Sequence, residues 1–172
     1  MTAALYPGTF DPITLGHVDI AERAAVLFER VVVGVYDTPA KTLMFSTEER
    51  VDLARGALAH VSNVEVLPYQ GLTVDFAARC GAAAIVRGLR AVSDFEVEMQ
   101  MAHQSRAIRS DVDYVCLMTK LEYSFLSATL MKEVARLGAD VHKLVPENVA
   151  RALAARFASA PQPDAVPRFL NA

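Results

Sequence analysis

The stretch Ala3-Ala4-Leu5-Tyr6-Pro7-Gly8-Thr9-Phe10-Asp11-Pro12-Ile13-Thr14-Leu15-Gly16-His17 passes from an unbroken apolar run, through a loop stiffened by Pro7 and Pro12, into the start of an amphipathic segment. The run Ala3–Tyr6 is too short for a helix and lacks polar alternation, so it reads as a strand covered on both faces. Runs of the same kind return at Val31–Tyr36, Val64–Leu67, Ala84–Arg87 and Tyr114–Met118. Between them lie helical candidates at about His17–Phe28, Thr47–Leu58, Val74–Cys80 and Asp94–Ile108. Ser46 with Glu49, and Ser93 with Glu96, fit the capping box, in which hydroxyl and carboxylate each satisfy a helix-end N–H. Two further helices are expected at about Ser127–Leu137, ended by Gly138, and Glu147–Phe157, opened by Pro146. Strands alternating with helical crossovers predict an α/β fold, a doubly wound three-layer Rossmann-like domain with a five-stranded parallel sheet. It spans residues 1–157. Pro161, Pro163 and Pro167 break any period after that, so 158–172 reads as a loosely ordered C-terminal tail.

The chain has 172 residues, enough for one hydrophobic core and cramped for two. Apolar residues make up 53%, above the roughly 45–50% of ordinary soluble domains, and this excess needs a place in the structure. No run approaches the roughly 18 apolar residues of a membrane helix, and the N-terminus lacks the basic flank of a signal peptide. A net charge of −3 gives no footprint for duplex nucleic acid. Cys80 and Cys116 lie in apolar neighbourhoods without CxxC or metal spacing, so buried reduced thiols in a cytoplasmic protein are expected.

Ligands of doubly wound sheets bind beyond the carboxyl ends of the strands, where the winding reverses. The first loop feeds a helix N-terminus, whose unpaired N–H groups and partial positive charge suit an anion. It is neither a Walker A loop nor a GxGxxG fingerprint. Taken alone, Gly16-His17 reads equally as a turn with an imidazole that caps or packs, Phe10 as a core aromatic and Lys41 as a solvated charge. Arg87-Gly88-Leu89-Arg90 ends the fourth strand. Two guanidiniums there suit bidentate phosphate recognition, and Gly88 would let the backbone approach a ligand. The alternative is pairing of both arginines with Asp94, Glu96 or Glu98. Tyr123-Ser124-Phe125-Leu126-Ser127-Ala128-Thr129 opens a helix after the fifth strand, with Ser127 placed as an N-cap and hydroxyls and N–H groups that can hold phosphate. No Asp-x-Asp or His cluster offers a metal cage; His60, His103 and His142 stand apart.

The loop with Thr14-Leu15-Gly16-His17 resembles, nearly residue for residue, the T/HxGH signature of the nucleotidyltransferase superfamily. Threonine in place of the first histidine is similar to the phosphopantetheine adenylyltransferases, bacterial enzymes of coenzyme A synthesis. The resemblance continues through Arg87–Glu96, Glu98-Met99-Gln100, Glu122–Phe125 and Pro146–Val149, and covers residues 3–157 without an evident gap. It implies transfer of the adenylyl group of ATP to 4′-phosphopantetheine, giving 3′-dephospho-coenzyme A and pyrophosphate, reversibly. By the same resemblance His17 is the catalytic residue, a transition-state stabiliser at the transferring phosphoryl group. ATP would be bound by Thr9, Phe10, His17, Gly88, Leu89, Arg90, Glu98 and the segment 123–129, namely Tyr123, Ser124, Phe125, Leu126, Ser127, Ala128 and Thr129. Phosphopantetheine would be bound by Thr9, Lys41, Thr73 and Arg87, with Glu96 left as the cap. The superfamily's second signature usually reads I-S-S-S/T with a basic residue three positions on. Here Ala128 replaces a serine, while Thr129 and Lys132 keep a hydroxyl and a cation. Mg²⁺ is expected to travel with ATP, no dedicated protein metal site is expected, and the family implies a cytoplasmic homohexamer. Other readings are a different adenylyl- or cytidylyltransferase of this superfamily, using nicotinate mononucleotide or a cytidylyl donor, and a non-catalytic nucleotide-binding module.

Overall fold

The computed structural model describes residues 2–40 and 42–158; Lys41 and the expected tail from 159 onward lie outside the described residues. Five strands, β1 (Ala3–Gly8), β2 (Arg30–Tyr36), β3 (Val64–Tyr69), β4 (Ala82–Leu89) and β5 (Asp113–Met118), form one parallel sheet in the order β3-β2-β1-β4-β5. Helices α1 (Leu15–Leu27), α2 (Thr47–Leu58), α3 (Thr73–Arg79) and α4 (Val92–Ile108) are the crossovers, and α5 (Ala128–Arg136) and α6 (Glu147–Ala158) follow the sheet. The winding runs outward from β1 to β3, then returns to place β4 on the other side of β1. The reversal therefore falls between the carboxyl ends of β1 and β4, at Pro7-Gly8 and Arg87-Gly88.

The apolar excess goes into two cores, one on each sheet face. Tyr6, Val31, Val33, Val35 and Val86 meet α1, α2, α5 and α6 on one side, while Leu5, Val32, Tyr69 and Ile85 meet α3 on the other. Alternate residues of one strand serve opposite cores, so β1 and β2 show no polar position in their interiors. Double coverage fails at β5. It is the margin of the sheet, and α4 beside it leaves Phe95, Val97 and Met101 47–59% exposed. Cys116 on β5 is exposed and Cys80 half-buried, so the expected burial of both thiols does not hold; partial desolvation still pushes both thiols up in pKa.

The Ser46 capping box forms as expected, with Ser46 Oγ accepting from Glu49 N–H and Glu49 Oε2 accepting from Ser46 N–H. The Ser93–Glu96 box does not. α4 begins a residue earlier than Ser93, with Ala91 as an N-cap lacking any side-chain bond, and the carboxylate of Asp94 turns back to Arg90 instead. Glu96 is thus not a cap.

A candidate active site at the reversal of the sheet

A cleft of about 600 Å³ opens over the ends of β1 and β4, where the winding reverses. Its floor is the loop from Gly8 to Thr14. Phe10 adopts φ +48°, a left-handed conformation that bulky residues rarely take, and its ring lies back under Gly8. A Cβ on Gly8 would stand 2.8 Å from the tip of that ring, so any side chain there must displace it. Phe10 is both readings at once: it is 3% exposed, with its ring edge against Tyr6, and it also borders the cleft.

Thr14 and His17 form a capping box that the sequence reading missed, since the box usually carries Glu or Gln at its second position. Thr14 Oγ1 accepts from His17 N–H at 3.4 Å, and His17 Nδ1 accepts from Thr14 N–H at 3.0 Å. A ring nitrogen that accepts carries no proton, so this bond puts the imidazole proton on Nε2. The ring of Phe10 meets the imidazole edge to face at 5.2 Å and fixes its plane. The cleft is therefore lined by an oriented imidazole with an Nε2–H donor at the start of a helix.

On the β4 side, Arg87 and Arg90 both border the cleft and both are paired. Arg87 makes a two-pronged bond to Glu98, Nε to Oε2 at 2.8 Å and Nη2 to Oε1 at 2.7 Å, and donates from Nη1 to Pro7 O at 2.8 Å. A guanidinium has five N–H groups, so these three bonds leave others to reach a ligand. Burial pulls the Arg87 pKa down, but the bond and charge of Glu98 outweigh it and leave it raised. Arg90 is held by Asp94 and donates to Leu126 O at 2.9 Å. The pairing alternative thus holds, with Glu98 and Asp94 as partners, and it orients both cations at the cleft. Gly88 borders the cleft and also serves the packing beneath it. A Cβ there would meet Ile20 at 3.0 Å, so it lets α1 pack on β4.

Tyr123, Leu126, Ala128 and Thr129 line the far wall, where α5 begins. Ser127 caps α5 by accepting from Leu130 N–H, Ser124 Oγ donates to Leu121 O, Phe125 is 67% exposed and Leu89 is buried in β4. Those four side chains and Thr73, whose hydroxyl meets Tyr69 OH at 3.0 Å, lie outside the lining of the cleft. Thr9, Gly88, Glu98, Arg87 and Arg90 lie in it.

Three buried charges brace this assembly, and none stood out in the sequence. Arg50 of α2, fully buried, donates to Thr9 O and Tyr36 O at 2.7 Å each. Burial lowers its pKa, against the attraction of Asp11 and Asp37. Asp19 of α1 holds Lys120, Nζ at 3.1 Å, which keeps the Thr119–Tyr123 segment beside α1. Asp11 accepts from Lys132 Nζ at 2.6 Å. Each pair joins residues far apart in the chain, so spacing gives no signal for it.

The cytidylyltransferase-like family model matches residues 5–134. A phosphopantetheine adenylyltransferase of Thermomicrobium roseum is 56% identical over 157 residues, covering 90% of this chain and 94% of its own length. One of Gloeobacter violaceus is 51% identical over 158 residues, covering 92% of this chain and 98% of its own. Among solved structures, a Vibrio parahaemolyticus protein provisionally assigned as a nicotinate-nucleotide adenylyltransferase superposes with a TM-score of 0.64. At 16% identity, over 89% of this chain and 99% of the other, it shares the fold.

Proposed function

Because the chain belongs to the phosphopantetheine adenylyltransferases, within the cytidylyltransferase-like family, we propose that the cleft over β1 and β4 is where it joins ATP to 4′-phosphopantetheine. The reaction yields 3′-dephospho-coenzyme A and pyrophosphate, the penultimate step of coenzyme A synthesis. The observation that carries the placement is the oriented Nε2–H of His17 within one cleft that also holds Arg87, Arg90 and Lys132. The nucleophile is a phosphate oxygen of phosphopantetheine, already anionic at neutral pH. It attacks the α-phosphorus of ATP, the new P–O bond forms as the bond to pyrophosphate breaks, and no protein nucleophile or base is needed. Catalysis then comes from alignment and from donors aimed at charge gathering on the α-phosphoryl oxygens. His17 Nε2–H is that donor. Thr9, Lys41 and Arg87 hold the acceptor phosphate, with Thr73 along the pantetheine arm through its main chain. Arg90, Lys132 and the N-terminus of α5 with Ser127 and Thr129 hold the departing β- and γ-phosphates. Gly88, Glu98, Tyr123 and Leu126 border the nucleoside, with Leu89, Ser124 and Phe125 contributing main chain rather than side chain.

The carboxylates in the cleft, Asp11, Asp94 and Glu98, each neutralise a cation of the protein, and no group of three metal-ligating side chains gathers among the described residues. That donor set does not fit a resident metal. Mg²⁺ arrives with the ATP phosphates as part of the substrate and keeps several waters. Among the described residues no helix is long and apolar enough to cross a membrane; a cytoplasmic place for the enzyme is carried by its kinship to the phosphopantetheine adenylyltransferases. The exposed apolar side chains of α4 and β5, Phe95, Val97, Met99, Met101 and Met118, support assembly into a homohexamer. The test is pyrophosphate release from ATP, expected on adding 4′-phosphopantetheine and absent with nicotinate mononucleotide or glycerol phosphate. Release only with those controls would overturn the reading.

A further inference from the structure

Asp11 sits midway along the β1–α1 loop with a side chain only 2% exposed, and two segments distant in sequence end on it. Oδ1 accepts from Met44 N–H at 3.1 Å and Phe45 N–H at 3.0 Å, Oδ2 also lies 3.1 Å from Met44 N, and Oδ2 accepts from Lys132 Nζ at 2.6 Å. Met44 and Phe45 end the connection from β2 to α2, whose Thr42 borders the cleft. Lys132 lies one turn beyond Ala128 and Thr129 on the opposite wall. A buried charge is tolerated only while its partners satisfy it, so displacing one partner strains the hold on the others. We propose that Asp11 is a positioning residue that sets the gap between the two walls of the cleft. Its charge seats the β2–α2 connection and the Lys132 ammonium against the β1–α1 loop, one for each substrate. The inference rests on the cleft being the site of adenylyl transfer.

Asparagine keeps the shape of Asp11 but offers one accepting oxygen. If that oxygen keeps Met44 and Phe45, the amide NH₂ turns toward the Lys132 ammonium, donor against donor. Because a shift of about 1 Å can cost about 10²-fold in an aligned reaction, Asp11→Asn should lower kcat about 10- to 100-fold. It should also raise KM for both ATP and phosphopantetheine while the far-UV circular dichroism stays that of the wild type. Lys132→Met removes only one of the three holds. It should lower kcat/KM for ATP and leave KM for phosphopantetheine within about two-fold. Residues acting through one network are non-additive, so Asp11→Asn should cost less in the Lys132→Met background than in the wild type. The proposal is overturned if Asp11→Asn keeps kcat and both KM values within about two-fold of wild type, or if the two substitutions act independently in the double variant. Should Asp11→Asn fail to fold, Lys132→Met and Lys132→Arg carry the test. Arginine should restore most of the kcat/KM for ATP that methionine loses, and full activity in Lys132→Met overturns the proposal. Wild-type enzyme in the same assay keeps the two readings apart, since its failure to release pyrophosphate would refute the site itself, not the role of Asp11.

Discussion

In α1 one side chain, His17, is half of the helix cap and also the donor proposed for the transferring phosphoryl group, and substitution can pull the two apart. His17→Ala should keep the fold and lose about 10²–10³ in turnover, the usual effect of removing one such donor. Steady-state kinetics beside a thermal melt would show this, and wild-type turnover would refute it. Thr14→Ala removes the hydroxyl half of the box and should cost about 0.5–2 kcal/mol in urea unfolding. Gly8→Ala must move the Phe10 ring, because its Cβ would lie 2.8 Å away. Overpacking of this kind costs about 1–3 kcal/mol, and since Phe10 faces His17, kcat should fall with stability. Strand ends drew attention to the loops of Thr14, Gly16, His17, Arg87 and Arg90, but spacing alone left His17 as readily a cap and the arginines as readily paired; only the resemblance to the T/HxGH nucleotidyltransferases singled them out. The roles of Asp11 and Arg50 were not legible at all. Their meaning lies in bonds to Lys132 and Thr9, 121 and 41 residues away, and no local pattern records a partner at that range.

Helices and strands were legible wherever a single segment carries its own signal. Apolar runs marked all five strands, although each was seen short at its carboxyl end or its start, where Pro7-Gly8, Pro68-Tyr69 and Gly88-Leu89 interrupt the apolar pattern without ending the ladder. The start of α4 was misread because a Ser-x-x-Glu spacing exists there, but the nearby Arg90 engages Asp94 and the helix begins before Ser93. α2 is anchored by Arg50. Arg50→Met would leave the carbonyls of Thr9 and Tyr36 without their donor, and a buried acceptor left unmet costs about 1–3 kcal/mol, read as a lower midpoint in urea. Before α6, His142 Nδ1 lies 2.5 Å from Asp140 Oδ1, and that bond and charge raise the pKa of His142. A raised histidine stabilises the fold below its ordinary value near 6.5 and loses that contribution as pH rises through its folded value. NMR titration should place its midpoint above that ordinary value, and Asp140→Asn should bring it back down. The pair is exposed, so the melting temperature should hardly move.

For the molecule as a whole, the apolar excess divides between the two faces of the sheet and a surface that a single chain leaves uncovered. Along α4, Phe95, Val97, Met99 and Met101 are 43–59% exposed, and Met118 on the adjacent β5 is 68% exposed. Light scattering of the wild type should therefore give an assembly, and Phe95→Glu should lower its mass; a monomeric wild type would refute the homohexamer. The strand order β3-β2-β1-β4-β5 has a further consequence, for the ribosome. β1 can pair with β2 as soon as residue 36 has emerged, but its other edge must wait for β4, complete only at residue 89. At about 5–20 residues per second, that central apolar edge stays open for roughly 3–10 s of every synthesis. Through that interval the nascent chain offers a template for pairing with its neighbours, so codon speed between β2 and β4 and holdase chaperones should govern how much of this enzyme a cell recovers.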